Sequence, residues 1–122
     1  MQKRILLVDD DNDLVELIGF NLRKAGFDIL VANDGIAALE LARDESPDLV
    51  LLDVMMPELN GFEVCETLRR NPSTSTVPVV MLTAMPGEFS RIFGLEAGAT
   101  EYHSKPFKVA ELVGRIRALT AN

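Results

Sequence analysis

The feature that most constrains this chain is an alternation: five apolar runs of strand length, each followed by a stretch with helical spacing. Ile5-Leu6-Leu7-Val8 is short and continuous, the pattern of a strand covered on both faces. From about residue 12 to 25, Leu14, Leu17, Ile18 and Leu22 recur at helical intervals, and Gly26 stops the helix. Phe27 to Ala32 reads as a second strand, and Asp34-Gly35 opens a helix that Ser46-Pro47 closes. Leu49 to Leu52 is a third strand, followed by a turn through Pro57 and Asn60-Gly61 and a helix over about 61–70. Val77 to Leu82 forms the fourth strand, before a helix over about 88–97 that Gly98 ends. Thr100 to His103 is a short fifth strand, and residues 108–119 form the last helix. Five β-then-α units predict an α/β fold, a parallel sheet with helices on both faces. No stretch is long enough to be an interdomain linker, so residues 1–122 read as a single domain.

Composition narrows the setting. A chain of 122 residues, 48% of them apolar, buries roughly two thirds of its unfolded surface and builds a core without disulfides. Cys65 is the single cysteine, so no intramolecular bridge can form. No apolar run approaches the roughly 18 to 20 residues of a membrane span, and Met1-Gln2-Lys3-Arg4 leads into only four apolar residues before a cluster of acids, which is not a signal peptide. The expectation is a cytoplasmic protein without membrane association. The formal charge is −7, and it is unevenly spread: residues 1–66 hold 15 acids and 5 bases, residues 67–122 hold 4 and 7. Direct nucleic-acid binding, which rests on a basic surface, is disfavoured. A concentrated acidic region instead suits a hard cation.

The acids fall where such a fold binds ligands, beyond the carboxyl ends of its strands. Asp9-Asp10-Asp11 follows the first strand and Asp53 the third, while the fourth and fifth strands run into Thr83 and Lys105. Taken singly, each has an ordinary explanation: Asp11 or Asp13 caps the first helix, and Asp53 sits in a turn. Taken together, converging carboxylates repel by about 4 kcal/mol per pair at 4 Å and an effective dielectric of 20. A magnesium ion would remove that conflict, being held by one or two carboxylates plus a phosphate. Asp53 would then act as an oxygen nucleophile toward phosphorus, with Lys105 neutralising phosphoryl charge and the Thr83 hydroxyl donating a hydrogen bond.

At these residues the sequence resembles the response-regulator receiver family of two-component signalling. The matching segments are Ile5 to Asp10, Leu52-Asp53-Val54-Met55-Met56-Pro57 with Asn60-Gly61, Met81-Leu82-Thr83-Ala84, and Gly98 to Phe107. The resemblance implies a doubly wound, flavodoxin-like, five-stranded sheet of order 2-1-3-4-5. It further implies Asp53 as phosphoacceptor, magnesium held by Asp9, Asp10, Asp53 and the Met55 carbonyl, and Lys105 as the phosphate-contacting lysine on a cis Lys105-Pro106 bond. Thr83 and Tyr102 hold the positions of the family's switch pair. The implied phosphodonor is a sensor histidine kinase or a histidine phosphotransfer protein. The implied output face comprises the fourth helix, fifth strand and fifth helix, through which many receivers form homodimers. Met55 and Met85 lie where side chains flank the path of the hydrolytic water, so a long-lived phosphoryl group is expected, although methionines also serve simply as gap fillers.

Several positions depart from the family pattern. His103 stands where an aliphatic residue is usual, and is expected to be partly buried and hydrogen-bonded, with a pH sensor as the sharper alternative. Thr100 replaces one acid of a frequently acidic pair, and Lys108 opens the last helix in place of a capping residue, against the helix dipole. Both bear on the dimerising face. Cys65 reads as a packing residue. Leu14, Leu17 and Ile18 are mostly core, Leu14 being the one expected to be exposed for docking a partner helix. A haloacid-dehalogenase-type phosphohydrolase also uses a nucleophilic Asp, but places a second acid where this chain has Met55. A constitutive binding domain would lack part of the acid, threonine and lysine set. Neither alternative accounts for the chain as well as a phosphoacceptor does, and no output domain is expected within these residues.

Overall fold

The computed structural model describes residues 2–84 and 87–121, with Glu88 and Phe89 described by their backbone alone. Strands β1 (Arg4–Val8), β2 (Asp28–Ala32), β3 (Leu49–Asp53), β4 (Val79–Thr83) and β5 (Glu101–Ser104) alternate with helices α1 (Asn12–Lys24), α2 (Gly35–Glu45), α3 (Gly61–Arg70), α4 (Glu88–Glu96) and α5 (Val109–Thr120). All strand pairs are parallel, and the sheet order is β2-β1-β3-β4-β5, as expected.

Strand alternation sends side chains to two cores. Leu6, Val8, Val50, Leu52, Val79 and Met81 pack with Ala38, Val64 and Leu68 on one face. Ile5, Leu7, Leu49, Leu51, Val80 and Leu82 pack with Ile18, Leu22, Leu112 and Ile116 on the other. Cys65 is fully buried in the first core, where burial pushes its thiol up to about 11, the state of a packing residue and not of a nucleophile.

Local chemistry sets the helix ends. Asp11, not Asp13, caps α1, accepting from the Asp13 and Leu14 amides, and Asp34 caps α2. Asn60 and Glu63 form a reciprocal capping box that starts α3. Lys108 precedes α5 without a side-chain cap bond. The fourth strand begins at Val79 and not Val77, because the Val77 amide turns back to the Thr74 carbonyl and Pro78 offers the ladder no donor. On α1 the exposed leucine is Leu17, at 49%, beside Phe20 at 63%, whereas Leu14 packs half-buried against the core. Leu14, Ile18 and Leu22 recur every four residues and so share the inward stripe.

One side chain ties two loops together. Arg69, in the last turn of α3, donates from Nε to the Gly98 carbonyl (2.9 Å) and from Nη1 to the carbonyls of Val77 (2.7 Å) and Ser75 (3.3 Å). Gly98 has φ +106°, and a Cβ there would lie 2.7 Å from the arginine stem. The charge therefore satisfies the backbone of the loops that lead into β4 and into β5. Arg69→Met, which keeps most of the stem and removes the donors, is expected to lower stability by about 2 kcal/mol in urea denaturation with little change in m.

Candidate functional site

Because all strands are parallel, their carboxyl ends converge at one edge of the sheet. Asp9 follows β1 directly and Asp53 closes β3, so the β1–β3 register sets the two side by side. The carboxylate oxygens of Asp9, Asp10 and Asp53 lie within 4.8 Å of one another. Asp9 and Asp53 are buried, Asp53 at 5% exposure, while Asp10 faces solvent.

The counter-charge comes from the loop after β5. Lys105 Nζ lies 3.3 Å from Asp9 Oδ2 and 3.5 Å from Asp53 Oδ1. Its backbone amide donates to the Thr83 carbonyl (2.7 Å), which fixes the start of that loop against β4, and the Lys105-Pro106 bond is cis. Asp9 Oδ1 accepts from the Asp11 amide (2.9 Å), and Asp53 Oδ1 accepts from the Met55 amide (3.3 Å).

These partners do not balance the burial of Asp53. Burial first, then the charge of Asp9, raise its carboxyl from the usual 3.8 to about 6; Lys105 and the Met55 amide pull the other way, and Asp10 adds a smaller upward push. A cluster of carboxylate oxygens with excess negative charge and one exposed member fits a hard divalent cation.

The loop beneath Asp53 needs a glycine. A Cβ on Gly61 would stand 2.6 Å from the Asp53 carbonyl oxygen and 2.7 Å from Val54 Cα, both backbone, and the Gly61 amide donates to the Val54 carbonyl (3.0 Å). The start of α3 is thereby pressed against the end of β3. Composition and motif spacing placed Asn60-Gly61 in a turn without revealing this contact.

Thr83, at the end of β4, is fully buried beside this cluster of strand ends. Tyr102 of β5 pairs in register with Met81 of β4, and its ring packs half-buried against the first core beneath α4. Its hydroxyl shares a hydrogen bond with Ser90 Oγ, a residue that the sequence did not single out. Met55 is 54% exposed at the rim, and Met85 lies outside the described residues.

His103 is partly buried and bonded through Nε2 to Glu101 Oε1 (2.9 Å), as expected. Glu101 also pairs with Arg115 of α5, and these partners, Arg115 first, hold its carboxyl below the usual range. The Thr100 hydroxyl accepts from the Val79 amide (3.0 Å) and so serves the sheet.

Comparison with known proteins agrees with this geometry. Residues 5–117 match the family model described as the response regulator receiver domain. The chain is 45% identical over 119 residues to the alkaline phosphatase synthesis transcriptional regulatory protein PhoP of Bacillus subtilis, covering 98% of this chain and 49% of that protein. It is 51% identical over 118 residues to the DNA-binding response regulator MtrA of Mycobacterium tuberculosis, covering 97% and 50%. The chain thus spans about half the length of these curated relatives. Among solved structures, the receiver domain of a Francisella response regulator superposes with TM-score 0.91 at 33% identity, covering 98% of this chain and 97% of that one. Vibrio cholerae chemotaxis protein CheY4 superposes with TM-score 0.91 at 28% identity, covering 98% and 99%.

The raised Asp53 carboxyl has a definite sign. Since its folded-state value lies above that of an unfolded aspartate, the native state holds the extra proton between about pH 4 and 6. The associated stability is fully present below that window and is lost as pH rises through about 6. In magnesium-free buffer, wild type is expected to lose about 2 kcal/mol relative to Asp53→Asn between pH 4 and 7. Urea denaturation of both proteins across that range measures the difference, and a pH-independent gap would contradict the assignment.

Proposed function

The chain belongs to the response regulator receiver family, and from that membership we propose that it accepts a phosphoryl group on Asp53 from a phosphohistidine of a sensor histidine kinase or histidine phosphotransfer protein. The single observation that carries this reading is the buried Asp53 carboxylate, its oxygens within 4.8 Å of those of Asp9 and Asp10 and its charge faced by Lys105 at 3.5 Å. An Asp53 oxygen attacks phosphorus in line, the P–N bond of the phosphohistidine breaks, and the imidazole leaves. Lys105 stays near the transferred oxygens as a fixed positive charge, and the Thr83 hydroxyl donates to one of them. Asp9, Asp10, Asp53 and the Met55 carbonyl are the groups that would hold Mg2+, which supplies charge neutralisation and orientation of the phosphoryl oxygens when bound.

The reaction modifies the chain itself, so the role is that of a switch and not of a turnover enzyme. Phosphorylation adds about 1.5 to 2 negative charges at Asp53, draws the Thr83 hydroxyl toward them, and biases the Tyr102 ring on the α4–β5–α5 face. The donor protein docks on α1, where Leu17 and Phe20 are exposed. A homodimer through α4, β5 and α5 would compete with the internal Glu101–Arg115 pair. Residues 1–122 act as one receiver domain, and the charge of −7 argues against direct contact with nucleic acid.

Incubation with acetyl phosphate and Mg2+ is expected to label wild type and not Asp53→Asn, read by intact-protein mass spectrometry; equal labelling of both sinks the assignment. After removal of the donor, the exposed Met55 side chain is expected to screen the acyl phosphate from water, giving a half-life of minutes or longer. Loss within seconds would contradict that screening.

A further inference from the structure

Beyond the switch pair, α4 itself is shaped to hold the tyrosine. Ser90 and Gly94 lie four residues apart on α4 and so face the same direction. At Gly94 there is no room for a side chain: a Cβ would stand 2.6 Å and 3.0 Å from the Cδ2 and Cε2 atoms of the Tyr102 ring and 3.1 Å from Met81 Sδ. One turn earlier, Ser90 is 4% exposed, and its hydroxyl bonds the Tyr102 hydroxyl. The apolar ring thus fills a notch that only glycine leaves open, while its polar tip meets a buried hydroxyl. We propose that Ser90 and Gly94 form a latch and seat that hold the Tyr102 ring against α4, making Ser90 a positioning residue for the switch.

This deepens the phosphoacceptor reading and rests on it for the role of the switch, though the seat exists without a phosphoryl group. Ring departure breaks the Ser90 bond and leaves a buried hydroxyl to be satisfied anew, so the seated state is favoured. The ring and α4 therefore behave as one two-state element, and phosphorylation acts by shifting its population. Ile92, Phe93 and Leu95, exposed on the same helix, carry that shift to the surface.

Tyr102 is the single tyrosine in a chain without tryptophan, so its fluorescence reports this ring alone. Acrylamide quenching is measured on wild type, Ser90→Ala and Gly94→Ala, each with and without acetyl phosphate and Mg2+. Ser90→Ala is expected to raise the quenching constant roughly twofold or more. Labelling at Asp53 should persist in that variant and bring the constant back toward the wild-type value. A Ser90→Ala constant equal to wild type overturns the latch, and one that labelling leaves unchanged overturns its role in the switch. Gly94→Ala, if folded, should expose the ring further. A double-mutant cycle of Ser90→Ala with Tyr102→Phe in urea gives a second measure: the unfolding constants should be non-additive by about fivefold, and strict additivity overturns the bond. Absence of label on wild-type Asp53 would instead overturn the phosphoacceptor reading, while quenching without acetyl phosphate still decides the seat.

Discussion

The site turns on a conflict of like charges. Parallel pairing brings the carboxyl ends of β1 and β3 together, and an acid at each end places Asp9 and Asp53 in a largely dry edge of the sheet. Lys105 is the cation paired with both among the described residues, and it leaves Asp53 with a carboxyl raised to about 6. The fold accepts this at a cost in stability, and what it retains is a carboxylate whose charge is incompletely answered from within. Added positive charge relieves that state.

Much of this was legible before the structure, because its signals are periodic or adjacent in sequence. Continuous runs such as Leu49 to Leu52 identify buried strands, and the acids and Lys105 follow strands directly. The sheet order came from family resemblance, since five parallel strands alone permit several orders. What the sequence did not reveal depends on approach between segments distant along the chain. Arg69 looks like any basic residue in a last helical turn until its carbonyl partners at Val77 and Gly98 are known. Gly94 reads as an unfavourable residue inside a helix until the Tyr102 ring is found in the space it leaves. The misplacement of exposure on Leu14 had a simpler cause. Leu14 shares a four-residue spacing with the buried Ile18 and Leu22, whereas Leu17 lies off that stripe, so the helical periodicity itself, followed through to Leu22, points Leu14 inward.

The two faces of the sheet divide the labour differently. One core binds α1 and α5 to strand residues that are wholly aliphatic. The other includes Cys65, the small residues Ala38 and Ala42, Met81 and, at its margin, Tyr102, and it supports the helices that follow β2 and β3. The two faces thus differ in kind, the latter holding the sulfur-containing side chains Cys65 and Met81, which fill irregular gaps.

The arrangement around Glu101 has a consequence for recognition. Its carboxylate is shared between His103 of the same strand and Arg115 of α5, so these three groups already answer one another. Anything that settles there by ion pairing must first trade an intramolecular bond for an intermolecular one, an exchange that returns little net energy in water. Ion pairing to Glu101 or Arg115 would therefore add little to any contact made there, and the apolar side chains Ile92, Phe93 and Leu95 are the exposed surface with more to gain from burial.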